Sequence, residues 1–184
     1  MSKTLASCMA PYIDERDSLL DLCCGVCNVT VYLKTASIDC VDVYSKYIEH
    51  LSKRNHFKDR KHSYIESDAI EFLNSAIRNN RTWDIVTCID GVEHFPWEKS
   101  QELMAKMIEV SRKHVMVYTP DGYTLTTPHN TWGIEGGDEY QIHHCGIDSS
   151  WFIENGWKII HSRNRINEFD KKPYTANCYL YSIR

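Results

Sequence analysis

Leu19-Leu20-Asp21-Leu22-Cys23-Cys24-Gly25 is the stretch that decides the fold of this 184-residue chain. It belongs to an apolar run over residues 18–23 that is typical of a buried parallel strand. Small residues continue from Cys23 to Asn28, and such a turn lets the backbone approach a ligand that lies against the following helix. We therefore expect a strand that ends in a ligand-binding turn.

Strand-like and helix-like segments alternate along the rest of the chain. Six further strands are predicted at residues 37–43, 62–66, 83–89, 114–119, 157–162 and 174–183. Helices are predicted at residues 45–55, 68–77, 97–113 and 149–154. This alternation gives a mostly parallel sheet with helices on both faces, and right-handed crossovers make it doubly wound. We predict an α/β fold with a seven-stranded sheet, its last strand reached through a polar turn at residues 163–172.

The composition is that of one ordinary globular domain, which we place over residues 1–184. The net charge of -4 is the wrong sign for a domain that grips a phosphate backbone, so nucleic acid is the less expected partner. No apolar stretch is long enough to span a membrane, and the N-terminus has no signal-like apolar region. We predict a cytoplasmic protein with reduced cysteines and no membrane partner, and the oligomeric state stays open.

Residues 120–147 interrupt the alternation. They contain five of the eight glycines and two of the five prolines. Loops of this length are uncommon in compact domains and often carry function. We predict that this segment is a lid that also contacts the acceptor.

Ligands of doubly wound sheets bind beyond the carboxyl ends of the strands. Asp42 follows the second strand, 21 positions after Asp21, and a carboxylate at about that spacing can accept from both hydroxyls of a ribose. Asp68 follows the third strand and is placed to accept from an exocyclic amine, and it is also a candidate N-cap. Asp90-Gly91-Val92-Glu93-His94 follows the fourth strand.

Five segments in this order resemble the class I S-adenosylmethionine-dependent methyltransferases. They are Leu-Leu-Asp-Leu-Cys-Cys-Gly at 19–25, Val-Asp-Val at 41–43, Ser-Asp-Ala at 67–69, residues 83–95, and Val-Tyr-Thr-Pro-Asp-Gly-Tyr at 117–123. The resemblance runs from about residue 17 to the end of the chain. It implies a Rossmann-like sheet with an antiparallel last strand, and S-adenosylmethionine as the cofactor.

The resemblance also implies roles for individual residues. Asp21 and Gly25 would shape the methionine pocket, Asp42 would hold the ribose, and Asp68 would hold the adenine amine. The predicted cofactor site also includes Cys23, Asn28, Val43, Ala69 and Asp90, with Val43 and Ala69 flanking the adenine ring. The family pattern has glycine where this chain has Cys23 and Cys27, and the second of these replacements costs backbone freedom.

Asp90, Glu93, His94 and His143 are the candidate catalytic residues, since a base is needed if the acceptor must lose a proton. Asp90, Glu93 and His94 share one side of a helical turn, and with His143 they could bind Mg²⁺ or Mn²⁺. This pattern is similar to that of methyltransferases acting on catechol-like quinone precursors, including ubiquinone-biosynthesis O-methyltransferases, and of metal-dependent 2′-O-methyltransferases of RNA ends. The preferred interpretation is a metal-free site in which the histidine caps a helix or lines the pocket, and the metal site is the alternative.

The leading prediction is O- or N-methylation of a small-molecule acceptor. Three alternatives stay open: an RNA-end 2′-O-methyltransferase, a catalytically silent cofactor-binding module, and a nicotinamide dehydrogenase, although Gly-x-Gly-x-x-Gly is absent. For a planar acceptor, the candidate stacking residues are Trp97, Tyr118, Tyr123, Trp132 and Tyr140, and Tyr118 or Tyr123 is preferred.

Overall fold

The computed structural model describes residues 2–128 and 132–183. Seven strands form one sheet in the order β3-β2-β1-β4-β5-β7-β6. Strands β1 to β5 pair in parallel, while β7 is antiparallel to both β5 and β6. The predicted α/β sheet, its strand number and its antiparallel last strand are confirmed.

The elements follow the predicted alternation closely. The strands are β1 (Ser18–Leu22), β2 (Ser37–Asp42), β3 (Lys61–Glu66), β4 (Trp83–Ile89), β5 (Ser111–Pro120), β6 (Lys158–Ile166) and β7 (Pro173–Ser182). The helices are α1 (Ser2–Met9), α2 (Ser45–Arg54), α3 (Ala69–Arg78), α4 (Trp97–Val110) and α5 (Ser149–Glu154). β5 and β6 extend beyond their predicted ends, and α4 stops three residues early where β5 begins.

Each face of the sheet carries its own apolar core. On one face, Leu73 of α3, Leu103 of α4 and Phe152 of α5 are buried against the strands. On the other face, Met9 of α1 and Leu51 of α2 are buried in a second cluster. Helices therefore cover both faces, as the alternation predicts, and the carboxyl ends of the parallel strands open at one edge.

The first crossover departs from the expectation of a ligand against a following helix. Residues 23–36, all of them described, form no α-helix and only one 3-10 turn, Thr30–Tyr32. α1, which the sequence does not predict, contributes Leu5 and Met9 to the cluster that contains Val29 and Leu33 of this segment. The N-terminal helix thus supplies cover that a longer crossover would otherwise provide.

Among the described residues, no helix has the length and apolar character needed to cross a membrane. The eight cysteines are free thiols, in agreement with their predicted reduced state.

Candidate functional site

One cleft of about 410 Å³ opens beyond the carboxyl ends of β1, β2 and β4. It begins at the turn after β1, passes the ends of β2 and β4, and reaches the hairpin between β6 and β7. This is the edge where the sequence places the ligand. All of the predicted site residues except Asp21 line it: Cys23, Gly25, Asn28, Asp42, Val43, Asp68, Ala69, Asp90, Glu93, His94 and His143.

The Asp42 carboxylate ties the turns after β1 and β2 together. Its Oδ2 accepts from the backbone N–H of Gly25 at 2.8 Å, and its Oδ1 accepts from the backbone N–H of Tyr44 at 2.9 Å. Burial raises the pKa of Asp42, and the two backbone donors act against that rise. Each carboxylate oxygen has a further lone pair, so the group can still accept from two vicinal hydroxyls in the cleft.

The turn after β1 keeps a glycine-like backbone although it contains one glycine. Cys23, Gly25 and Cys27 have φ values of 51°, 51° and 55°. This left-handed conformation costs a residue with a side chain about 1–2 kcal/mol. The cysteines thus adopt the backbone that glycine would adopt at the same places, and the rest of the fold offsets that cost.

Asp21 supports this turn from below and does not line the cleft. It is buried, and its two carboxylate oxygens accept from the hydroxyls of Thr30 and Thr87, each at 2.7 Å. Burial raises its pKa well above the usual range, while the two threonine hydroxyls oppose the shift. Its direct contact with a cofactor therefore stays a prediction, whereas its position beneath the turn is observed.

Asp68 is an N-cap, as predicted, and it also lines the cleft where its contact with the cofactor is predicted. Its Oδ1 accepts from the backbone N–H groups of Ile70 and Glu71, at 2.8 and 3.0 Å, which is the N-cap of α3. The same side chain lines the cleft together with Val43 and Ala69. One oxygen is committed to the cap and the other is available to a donor in the cleft, while the adenine contact stays a prediction.

Two carboxyl groups lie together after β4. Burial raises the pKa of Glu93 to about 7. Asp90 is exposed to the cleft, and partial desolvation by the cleft walls together with the charge of Glu93 raises its pKa as well. Glu93 is 2% exposed, and its Oε2 has no hydrogen-bond partner among the described residues. A buried, unsatisfied carboxyl oxygen is costly without a partner, so this atom indicates a place for a ligand.

His94 and His143 face this carboxyl group with the same ring arrangement. Nδ1 of His94 donates to the Ile142 carbonyl at 3.1 Å, and Nδ1 of His143 donates to the Thr124 carbonyl at 2.9 Å. In those tautomers the lone pair of each ring is on Nε2. The ring centroids are 5.1 Å apart.

Ligand atoms of Glu93, His94 and His143 lie within 4.8 Å of one another. Asp90, the fourth predicted ligand, is not part of this group. Imidazoles oriented by backbone carbonyls are typical of metal ligands. Two imidazoles and one carboxylate form a donor set of transition-metal sites, so of the two predicted ions Mn²⁺ fits better than Mg²⁺.

The loop at residues 120–147 lies over the turn after β1 and the start of α2, although its residues 129–131 lie outside those described. The Tyr44 hydroxyl donates to the Glu135 carbonyl, and Lys46 Nζ donates to the same oxygen at 3.0 Å. A Cβ placed on Gly137 would lie 2.7 Å from Cε1 of Tyr44. A side chain at position 137 would therefore meet the Tyr44 ring, and the role of the loop as a lid stays a prediction.

The two preferred stacking residues are wrong. Tyr118 is 2% exposed because its side chain enters the core, and Tyr123 is 61% exposed outside the cleft. Of the other three candidates, Trp132 and Tyr140 line the cleft and Trp97 does not. Sequence reasoning also missed Arg165, Ile166, Phe169 and Tyr174 of the β6–β7 hairpin, which form the far wall.

A family model described as "Methyltransferase domain" matches residues 19–114, which is just over half of the chain. The matched segment begins in β1 and ends in β5, so it contains the strand ends that form the cleft as far as His94. No curated protein matches this chain.

Solved structures with the same fold have low sequence identity to this chain, and several of them are methyltransferases by name. Magnesium protoporphyrin IX methyltransferase from Synechocystis PCC 6803, crystallised with bound SAH, is 12% identical with a TM-score of 0.65, covering 98% of this chain and 81% of that one. TehB from Haemophilus influenzae is 13% identical with a TM-score of 0.70, covering 98% and 62%. The N-methyltransferase NodS from Bradyrhizobium japonicum WM9 is 11% identical with a TM-score of 0.64, covering 97% and 93%. At these identities the likeness extends to the fold alone.

Proposed function

This chain belongs to the methyltransferase-domain family, and we propose that it methylates oxygen or nitrogen on a small-molecule acceptor, with S-adenosylmethionine as the methyl donor. One observation carries the proposal: the Asp42 carboxylate and the Gly25 N–H lie 2.8 Å apart at the cofactor end of a continuous cleft, and Asp90, Glu93 and His94 lie further along it. Several of the structural neighbours were crystallised with SAH or SAM bound, which supports this donor.

The bound donor supplies an electrophilic methyl group on a sulfonium, so the main tasks of the protein are alignment and exclusion of water. Asp42 would accept from the ribose hydroxyls and Asp68 from the adenine amine. The lid segment with Trp132 and Tyr140 would exclude water. These residues act on binding and orientation.

His94 is the proposed base. Burial lowers its pKa, so the imidazole is neutral at pH 7 and its Nε2 can accept a proton. The Ile142 carbonyl, which accepts from Nδ1, fixes the tautomer that this role needs. The acceptor atom would therefore lie within reach of Nε2 when it loses its proton.

Thermal unfolding with S-adenosylhomocysteine tests the proposal. At 100 times its dissociation constant this ligand should raise the melting temperature by about 5 °C or more. NAD and NADP serve as matched adenosine ligands and should produce no shift. A shift with NAD but none with S-adenosylhomocysteine would contradict the proposal and favour a dehydrogenase.

The group formed by Glu93, His94 and His143 favours a second candidate, a metal-assisted O-methyltransferase. There the three residues would hold Mn²⁺, and the metal would polarise acceptor oxygens. An RNA end as acceptor is disfavoured by the net charge of -4.

Calorimetric titration with Mn²⁺ separates the two candidates. Wild type should bind one ion, and His94→Ala should lose at least about tenfold in affinity, as expected when a ligand is removed. His56→Ala, which removes an exposed histidine, should bind like wild type. Equal binding by wild type and His94→Ala would remove the metal-assisted candidate and leave His94 as a base.

A further inference from the structure

Arg165 places a guanidinium in the cleft, and no described carboxylate pairs with it. It is partly buried and lines the cleft, and it forms no hydrogen bond or ion pair within residues 2–128 and 132–183. Arg16, Arg81 and Arg112 each form an ion pair with an aspartate. A partly desolvated guanidinium without an anionic partner is costly, so this side chain indicates an anionic ligand.

The neighbouring strand holds Arg165 in place. Arg165 of β6 lies directly opposite Tyr174 of β7 in the strand pairing. The Arg165 guanidinium lies over the Tyr174 ring, 5.6 Å from the ring centroid. Stacking on an aromatic face leaves the planar fork of five N–H donors able to bind a carboxylate or phosphate.

Exposed apolar side chains line the same cleft as this guanidinium. Leu125, Ile166 and Phe169 line the cleft and are 41%, 61% and 37% exposed. The Asn167 side chain donates to the Leu125 carbonyl at 2.9 Å, and it accepts from the backbone N–H of Phe169 at 2.8 Å. Hydrogen bonds of Asn167 thus join the β6–β7 hairpin to the 120–147 loop and fix the backbone that carries Leu125 and Phe169.

The position of Arg165 separates it from the cofactor end of the cleft. β6 is at one edge of the sheet, and β4, β5 and β7 stand between it and β1. At about 4.8 Å per strand, the axes of β1 and β6 are roughly 19 Å apart. The carboxylate of the cofactor's methionine end, expected at the turn after β1, is therefore a poor candidate for the anion.

We propose that Arg165 determines acceptor specificity by binding an oxyanion, a carboxylate or a phosphate, on an acceptor whose apolar body lies against Leu125, Ile166 and Phe169. This inference rests on the proposed function, because it concerns the acceptor of the same cleft. The oxyanion anchors the acceptor, and the atom that receives the methyl group is a separate one nearer to Asp90. Arg165 thus selects which molecules are presented for methylation.

Binding of matched naphthalene probes tests this assignment in protein saturated with S-adenosylhomocysteine. The probes are 2-naphthoate, 2-naphthyl phosphate and neutral 2-naphthamide, with dissociation constants measured by quenching of tryptophan fluorescence. At least one anionic probe should bind about tenfold more tightly than the amide, as expected for a charge-assisted hydrogen-bonded pair. The stronger of the two anions identifies the source of the oxyanion.

Arg165→Met should abolish the preference for the anion and leave binding of the amide unchanged. Arg163→Met is the matched control, because Arg163 lies on the same strand and does not line the cleft. No anion preference in wild type, or a preference that survives in Arg165→Met, would overturn the assignment. A loss of S-adenosylhomocysteine affinity in Arg165→Met would also overturn it, since the anion would then belong to the cofactor.

A failure of the Arg165 assignment can be distinguished from a failure of the proposed function. The melting-temperature shift with S-adenosylhomocysteine tests the function alone and does not depend on Arg165. A normal shift without anion preference leaves the methyltransferase in place and removes only the oxyanion-bearing acceptor.

Discussion

In the proposed cofactor half of the cleft, formed by residues 23–28, 42–47 and 67–69, functional side chains at strand ends are fixed by backbone donors. In the proposed acceptor half, formed by residues 90–95, 120–128, 132–147 and 165–174, they come from a long loop and a hairpin as well as from the end of β4. Asp42 accepts two backbone N–H groups, whereas His143 is positioned by Thr124 of the same loop. The difference indicates a half built for one constant ligand and a half that can vary with the acceptor.

Replacing Asp42 should produce the largest effect and should be confined to the cofactor half. In Asp42→Ala, affinity for S-adenosylhomocysteine should fall about 100-fold, because two hydrogen bonds to a charged acceptor are lost. Calorimetric titration measures the change. Asp59→Ala, which removes an exposed carboxylate, should bind like wild type.

His143→Ala provides the opposite arm of this comparison. It should leave S-adenosylhomocysteine affinity within about twofold of wild type, because it removes a side chain of the acceptor half only. If His143→Ala and Asp42→Ala weakened the cofactor analogue equally, the two halves would not be separate units.

Replacing Asp84 should destabilise the end of the sheet that lies away from the cleft. At the opposite end of β4, its carboxylate accepts from Ser18 of β1 and from Arg112 of β5. Burial alone would raise the pKa of Asp84, but the Arg112 and Ser18 donors outweigh it and hold that pKa below its usual range. Asp84→Asn should lower the free energy of unfolding at pH 7 by about 2 kcal/mol without changing cofactor affinity.

The pH dependence of Asp84→Asn follows from a folded-state pKa that lies below the unfolded one. The stabilisation is complete above the unfolded value of about 3.9 and is lost as the pH falls through the folded value. The difference in the free energy of unfolding between wild type and Asp84→Asn, measured by urea unfolding, should therefore decrease below about pH 4. Glu109→Gln, at an exposed position, should show no gap. A gap that stays constant in acid would argue against this ion pair.

The cofactor half could be predicted from sequence because local signals define it. β4 occupies residues 83–89 as predicted, and the apolar runs of β1 and β2 place Asp42 and Gly25 at neighbouring strand ends. Parallel strands bring those ends to the same edge whatever the intervening chain does. Even the missing α-helix after β1 leaves this arrangement intact.

The acceptor half could not be predicted in the same way. Arg165 lies 75 positions after Asp90 and reaches the cleft only through the pairing of β5 with β7 and of β7 with β6. Nothing in the local sequence distinguishes it from the exposed Arg163. Tyr118 does not reach the cleft because β5 is covered on both faces. All side chains from Val115 to Pro120 are buried, and Tyr118 belongs to the core cluster that contains Met9 and Leu51.

Substitutions at Gly137 and Gly133 test whether the contact of the 120–147 loop with Tyr44 affects cofactor binding. Gly137 has a φ of 76°, and a Cβ there would meet the Tyr44 ring, whereas Gly133 has a φ of 68° with open space around it. Gly137→Ala should lower S-adenosylhomocysteine affinity about tenfold by displacing the lid, a cost of about 1.4 kcal/mol. Gly133→Ala carries the same backbone cost without the clash, so equal losses in both variants would remove the lid from cofactor binding.

Cys27 and Cys40 provide the smallest and most local test. Their Sγ atoms are 3.5 Å apart, so replacing either one removes the same thiol contact, but Cys27 has a φ of 55° and Cys40 lies within β2. Cys27→Gly should be about 1 kcal/mol more stable than Cys27→Ala in urea unfolding, because alanine is strained in the left-handed region. At Cys40 the order should reverse, since glycine weakens a strand interior. If the alanine variant were more stable than the glycine variant at both positions, the turn after β1 would not hold position 27 in the left-handed conformation. The cofactor half would then lack the backbone that the family builds with glycine.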